Sequence, residues 1–104
     1  MGLRVLLVED NEMLQRAYAR ALRGRGHTVT IAASVQEGRT ALADGPDVLL
    51  LDREVPDGDG WSLRHETPPG CRVVLMSGNA PPGSPPYWSK SGVDELYALI
   101  EGDA

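Results

Sequence analysis

Residues 47–60 read DVLLLDREVPDGDG, an apolar run that ends on an acid and then breaks into turn residues. Val48–Leu51 is apolar at four successive positions, so no alternation marks one wet face. Such a run suits a strand covered on both sides, as in a parallel sheet sandwiched by helices. Asp52 closes the strand, and the cluster Val55–Gly60 reads as a turn.

The same pattern recurs on either side. Leu3–Val8 (LRVLLV) is a second apolar run, followed at once by Glu9, Asp10 and Asn11. Asp10 or Asn11 offers an N-cap for a helix from about Glu12 to Arg25, with Leu14, Ala17, Ala21 and Leu22 at helical spacing. Gly24 and Gly26 supply its stop. Thr28–Ala32 (TVTIA) reads as a strand. Ser34 with Glu37 is a capping-box signature for a helix through Ala43, ended by Gly45-Pro46. Beyond the turn, Trp61–Glu66 makes at most a short helix, and Thr67–Gly70 breaks it. Arg72–Ser77 is a fourth strand, Tyr87–Ser89 a brief fifth, and Val93–Ile100 a closing helix with Val93, Leu96 and Ile100 on one side. Strands alternating with helices through short loops predict a doubly wound α/β fold, a five-stranded parallel sheet in one domain spanning residues 1–104.

Composition narrows the function. With 104 residues and 41% hydrophobic content the chain can bury one core, built without Phe from Leu, Val, Ala, Ile and Met. A net charge of −5 argues against a generic nucleic-acid binder. The lone Cys71 excludes an internal disulfide or a multi-cysteine metal site, and reads as a small hydrophobe at a strand start. Residues 3–8 are too short for a membrane span or signal peptide. A soluble, cytoplasmic protein is expected.

In an open parallel sheet, ligands bind beyond the carboxyl ends of the strands. Glu9 and Asp10 follow the first strand, Asp52 ends the third, Ser77 ends the fourth, and Lys90 follows the fifth. Singly, each has an ordinary explanation as a helix cap, a backbone partner or a solvated charge. Together they place three carboxylates, a hydroxyl and an ammonium on one edge. Gathered carboxylates call for a cation, and few-ligand oxygen sites suit Mg²⁺, which favours phosphate oxygens. Ser77 and Lys90 suit the remaining phosphoryl oxygens, so the implied chemistry is phosphoryl transfer to Asp52.

In this order, VLLVEDN, DVLLLD-REVPDGDG, VVLMSG and YWSK resemble the receiver domain of bacterial two-component response regulators, over nearly the whole length. That resemblance implies a flavodoxin-like receiver fold, in which Asp52 accepts phosphate from a partner kinase's phosphohistidine. It implies Mg²⁺ held by Glu9, Asp10, Asp52 and the backbone carbonyl of Glu54. It assigns the phosphoryl oxygens to Ser77 and Lys90, and a switch role to Ser77 and Tyr87. As partners it implies a histidine kinase or phosphotransfer protein and an unknown downstream protein target. It further implies a regulatory domain, not an enzyme.

The chain departs from that pattern at two places. Ser91 follows Lys90 where receivers carry Pro after a cis bond; a cis bond to a non-proline residue costs about 3 kcal/mol, so a trans bond is expected. Only Gly78–Pro86 separates the fourth and fifth strands, and Pro81, Pro82, Pro85 and Pro86 forbid the fourth helix. Nine extended residues reach about 28 Å, enough to retrace a five-residue strand of about 17 Å. The third helix is curtailed by Pro68-Pro69. Without the fourth helix the usual dimer is not expected, and a monomer is. The Trp88 neighbourhood is then either an exposed partner patch or covered by the proline loop.

The remaining features carry less. Arg16, Arg20 and Arg23 stripe the first helix as a solvated face or, by the resemblance, the border of a kinase-docking surface. Trp61 and Trp88 read as packing residues, and His27 and His65 fit no ligand pattern. Nothing after Ile100 suggests DNA binding. Two other function classes compete with the phosphoacceptor. One is a phosphorylation-independent pseudo-receiver that binds protein, favoured by Ser91 and the absent helix. The other is a small aspartyl phosphohydrolase, disfavoured because Glu54 stands where such sites want a second Asp.

Overall fold

The structure is a computed structural model that describes residues 2–52, 54–76, 87–88 and 92–102. Among these, five strands form one parallel sheet: β1 (Arg4–Val8), β2 (Thr28–Ala32), β3 (Val48–Asp52), β6 (Arg72–Met76) and β7 (Tyr87–Trp88), in the order β2-β1-β3-β6-β7. This is the flavodoxin-like order, with its switch point between β1 and β3. Between β3 and β6 the Val55–Gly60 stretch, expected to be only a turn, closes a two-stranded antiparallel hairpin, β4 (Glu54–Val55) with β5 (Gly58–Asp59). Gly58 takes φ +146°, a backbone that L side chains rarely adopt, which lets Pro56-Asp57-Gly58 reverse the chain so tightly.

Among the described residues three α-helices flank the sheet: α1 (Glu12–Gly24), α2 (Val35–Ala41) and α3 (Val93–Glu101). Alternation along the strands divides the core in two. Val5, Leu7, Val48, Leu50, Val74, Met76 and Trp88 face α1 and α3, meeting Tyr18, Ala19, Leu22, Leu96 and Ile100. Leu6, Val8, Leu49 and Leu51 face α2 and two 3₁₀ stretches, Leu42–Asp44 and Gly60–Glu66, meeting Val35, Leu42 and Leu63. The short third helix read from Trp61–Glu66 is thus a 3₁₀ turn sequence. A fully buried leucine contributes about 1.5–3 kcal/mol, so the central strands carry much of the fold's stability.

Helix ends follow their sequence signals. Asn11 caps α1, its side chain accepting from the Leu14 N–H at 3.1 Å. Ser34 caps α2, its Oγ accepting from the Glu37 N–H at 3.1 Å. Glu37 reaches back to the Ala33 N–H at 3.5 Å, one residue further than the capping box foresees. Gly45, at φ +66°, ends the segment after α2.

Two packing expectations need correction. On α1 the buried residues are Tyr18, Ala19 and Leu22, with Ala17 exposed and Ala21 half-buried. The longer side chains Leu14, Tyr18 and Leu22, four apart, set the buried stripe, and alanines tolerate either side. Val93 is 42% exposed, because it opens α3 right after Gly92, while Leu96 and Ile100 are buried. The alternative of a bare apolar patch at Trp88 does not hold: Trp88 is 1% exposed, and Leu75, on the opposite sheet face, is fully buried. Cys71 stands half-buried just before β6, and burial pushes its thiol pKa up. The expected proline crossover at Gly78–Pro86 and the Lys90–Ser91 bond lie outside the described residues. No helix among the described residues is long and apolar enough to cross a membrane.

Candidate functional site: a carboxylate cluster at the sheet's switch point

Register brings the acids together. Val8 pairs with Leu51, so the next residues, Glu9 and Asp52, leave adjacent strands side by side at the carboxyl edge. The Glu9 N–H bonds to the Ala32 carbonyl at 2.9 Å, extending the β1–β2 ladder by one residue before the chain turns. Glu9 is 1% exposed, Asp52 half-buried and Asp10 exposed. Each offers a carboxylate oxygen, and all three oxygens lie within 4.8 Å of one another. At that separation two like charges near a protein surface repel by about 3 kcal/mol.

Neighbouring groups hold the cluster in place. The Asn11 N–H donates to Glu9 Oε2 at 3.2 Å, and Gln15 Nε2 donates to the Glu9 carbonyl. Gln15 had no sequence signal beyond sitting one turn into α1. Gly60 lies beneath Asp52: a Cβ there would stand 2.2 Å from the Asp52 carbonyl oxygen and 3.0 Å from Leu51 Cδ1. The spacing from Asp52 to Gly60 therefore has a steric origin, the return of the hairpin against the end of β3.

The hairpin is tied down at its turn as well. The Asp57 carboxylate accepts from the Val35 N–H at 2.7 Å and the Gln36 N–H at 3.1 Å, the first turn of α2. These two N–H bonds hold the Asp57 carboxyl below its usual pKa. Asp59 Oδ1 accepts from the Trp61 N–H at 2.9 Å and starts the 3₁₀ stretch.

Of the residues expected at the site, Glu9, Asp10 and Asp52 converge, and the backbone of Glu54 opens the hairpin directly beyond. Ser77, Lys90 and the side chain of Tyr87 lie outside the described residues. Arg16, Arg20 and Arg23 are all exposed on α1, and Arg23 also donates to the Val29 carbonyl at 2.9 Å. His27, for which no ligand pattern was expected, is buried at the opposite edge of the sheet, bonded to Glu101 at 2.9 Å. The three carboxylates fit a hard divalent cation that prefers oxygen ligands.

A parallel sheet of this order with acids at its switch point defines a class, the CheY-like receiver fold. The receiver domain of the hybrid histidine kinase CckA superposes with a TM-score of 0.84 at 25% identity, over 95% of this chain and 96% of that one. The receiver domain of the sensor histidine kinase PA1611 from Pseudomonas aeruginosa PAO1 superposes with a TM-score of 0.85 at 24% identity, over 98% and 97% of the two chains. In that protein a magnesium ion is coordinated in the active-site cleft. No family model matches the chain. In sequence it is 42% identical to the KDP operon transcriptional regulatory protein KdpE of Escherichia coli (strain K12), over 92% of this chain and 48% of KdpE. It spans less than half the length of the first curated relatives it matches. The chain belongs to the receiver domains of two-component response regulators, regulatory domains and not enzymes in the ordinary sense.

Proposed function

We propose that this receiver is a phosphoacceptor and that Asp52 carries the phosphoryl group. One observation carries the reading: the Glu9, Asp10 and Asp52 oxygens gather within 4.8 Å at the sheet's switch point. A carboxylate of Asp52 attacks the phosphorus of a phosphohistidine on a histidine kinase or phosphotransfer protein. The P–N bond breaks as the P–O bond forms, and the imidazole nitrogen keeps the electron pair and takes up a proton. Mg²⁺, held by Glu9, Asp10, Asp52 and the Glu54 carbonyl, would neutralise the carboxylates and the incoming phosphoryl oxygens.

Ser77 and Lys90 receive the phosphoryl oxygens, and Ser77 with Tyr87 passes the change to a protein target. Residues 1–104 act as one domain, a cytoplasmic monomer that binds neither DNA nor membrane by itself.

Acetyl phosphate or beryllofluoride with Mg²⁺ tests this. Intact mass should show one phosphoryl adduct on the wild-type protein and none on Asp52→Asn. No adduct, with Asp52→Asn cells behaving as wild type, would favour a phosphorylation-independent binding module instead.

A further inference from the structure

We infer that Asp57 is a positioning residue of the acidic site, locking the loop beyond Asp52 onto the first turn of α2. The inference rests on the phosphoacceptor reading, because the hairpin begins with Glu54, whose carbonyl is the fourth group assigned to the cation.

The β4–β5 hairpin is only two residues per strand, and an isolated hairpin of any length is marginal in water. Something else must hold it. On one side Val55, 9% exposed, packs among Val35 and Leu63 in the second core cluster. At the tip the Asp57 carboxylate takes both the Val35 and Gln36 N–H groups, while Ser34 takes the Glu37 N–H. Three successive orphan donors of α2 are thus satisfied, two of them by a residue more than twenty positions away in sequence. Ser34 would cap the helix alone; Asp57 in addition fastens the hairpin to it.

The geometry makes the tether direct. Glu54 pairs with Asp59 and Val55 with Gly58, so Asp57 stands in the two-residue turn between the paired strands. A rigid two-residue turn transmits its anchor to Glu54 across the hairpin's ladder. Groups that orient metal ligands from behind typically govern affinity by about ten- to a hundredfold. The tether also makes α2 a mechanical neighbour of the phosphoacceptor loop, although no residue of α2 belongs to the carboxylate cluster.

The test compares Asp57→Ala with Ser34→Ala, which removes a cap from the same helix without touching the hairpin. Mg²⁺ alone is the probe, read by amide chemical shifts, alongside hydrogen exchange of the 54–59 amides in metal-free protein. Asp57→Ala should speed exchange across the hairpin and raise the Mg²⁺ Kd about tenfold, with Ser34→Ala within about twofold of wild type. Asp57→Asn, which keeps one acceptor oxygen, should fall between and guards against misfolding of the alanine variant. Equal weakening by Asp57→Ala and Ser34→Ala would overturn the positioning role, since helix stability alone would explain it. So would an unchanged Kd and unchanged exchange in Asp57→Ala. Failure of the wild-type protein to bind Mg²⁺ would instead overturn the reading of the site itself.

Discussion

The rings of Trp88 and Tyr18 meet edge to face, centroids 4.8 Å apart and planes at 73°, joining the last strand of the sheet to the middle of α1. Trp88 Nε1 donates to the Gly92 carbonyl at 2.9 Å, so the indole also anchors the approach to α3. A strand of two residues has little ladder to hold it, and the buried indole supplies the anchorage.

Trp88→Ala should therefore cost about 3–5 kcal/mol, the range for deleting a buried aromatic. A double-mutant cycle with Tyr18→Ala should give a coupling of about 0.5–1.5 kcal/mol beyond simple burial. Urea denaturation of the four proteins measures both.

The carboxylate cluster predicts an inverse relation between stability and metal binding. Asp52→Asn removes one of three converging charges and should raise the melting temperature of metal-free protein. Wild-type protein should gain about 1.4 kcal/mol when Mg²⁺ reaches ten times its Kd, and the variant far less. Thermal melts with Mg²⁺ and with EDTA decide it.

Gly60 and Gly38 should respond differently to alanine. At Gly60 the new Cβ would meet the Asp52 carbonyl oxygen at 2.2 Å, a backbone atom that cannot yield without moving Asp52. At Gly38 it meets Leu63 Cδ1 at 2.8 Å and Val8 Cγ2 at 3.2 Å, side-chain rather than backbone atoms, and helix propensity returns up to about 1 kcal/mol. Gly60→Ala should cost on the order of 3 kcal/mol and lower phosphorylation, whereas Gly38→Ala should cost under about 1.5 kcal/mol. Calorimetry and acetyl-phosphate labelling separate the two effects.

Acid should loosen the end of α3. Glu101 binds Arg25 at 2.6 Å and His27 at 2.9 Å, and these bonds, Arg25 foremost, hold its carboxyl down to about 2. The Leu3 N–H donates to His27 Nδ1 at 3.1 Å, so Nε2 carries the proton given to Glu101. A carboxyl with a depressed folded pKa stabilises the fold above its ordinary value and loses that contribution as pH falls through the depressed one. Glu66, lowered by Arg39, and Asp57, lowered by the Val35 and Gln36 N–H groups, act in the same direction. Stability should fall from about pH 4.5 toward pH 2, and Glu101→Gln should flatten that decline. Added salt should also shrink the effect, because these groups lie near solvent. Denaturant midpoints measured across that range test it.

What the amino-acid order determined by itself is local or periodic. Four apolar residues before Asp52, the Asn11 and Ser34 caps and Gly45 place strands and helix ends, because each acts through its own few neighbours. The acids after β1 and β3 were legible for the same reason: a parallel sheet puts every strand end on one edge. Tertiary structure alone decided what depends on distant chain segments meeting. Which side of α1 turns inward was settled by the packing of Tyr18 and Leu22, not by Ala17 and Ala21. The turn at Val55–Gly60 became a hairpin because Asp57 found two unpaired N–H groups on α2, and His27 was buried because Glu101 and the Leu3 N–H satisfy its ring. Hydrogen bonds between residues far apart in sequence leave no periodic trace, so only the folded chain brings their partners together.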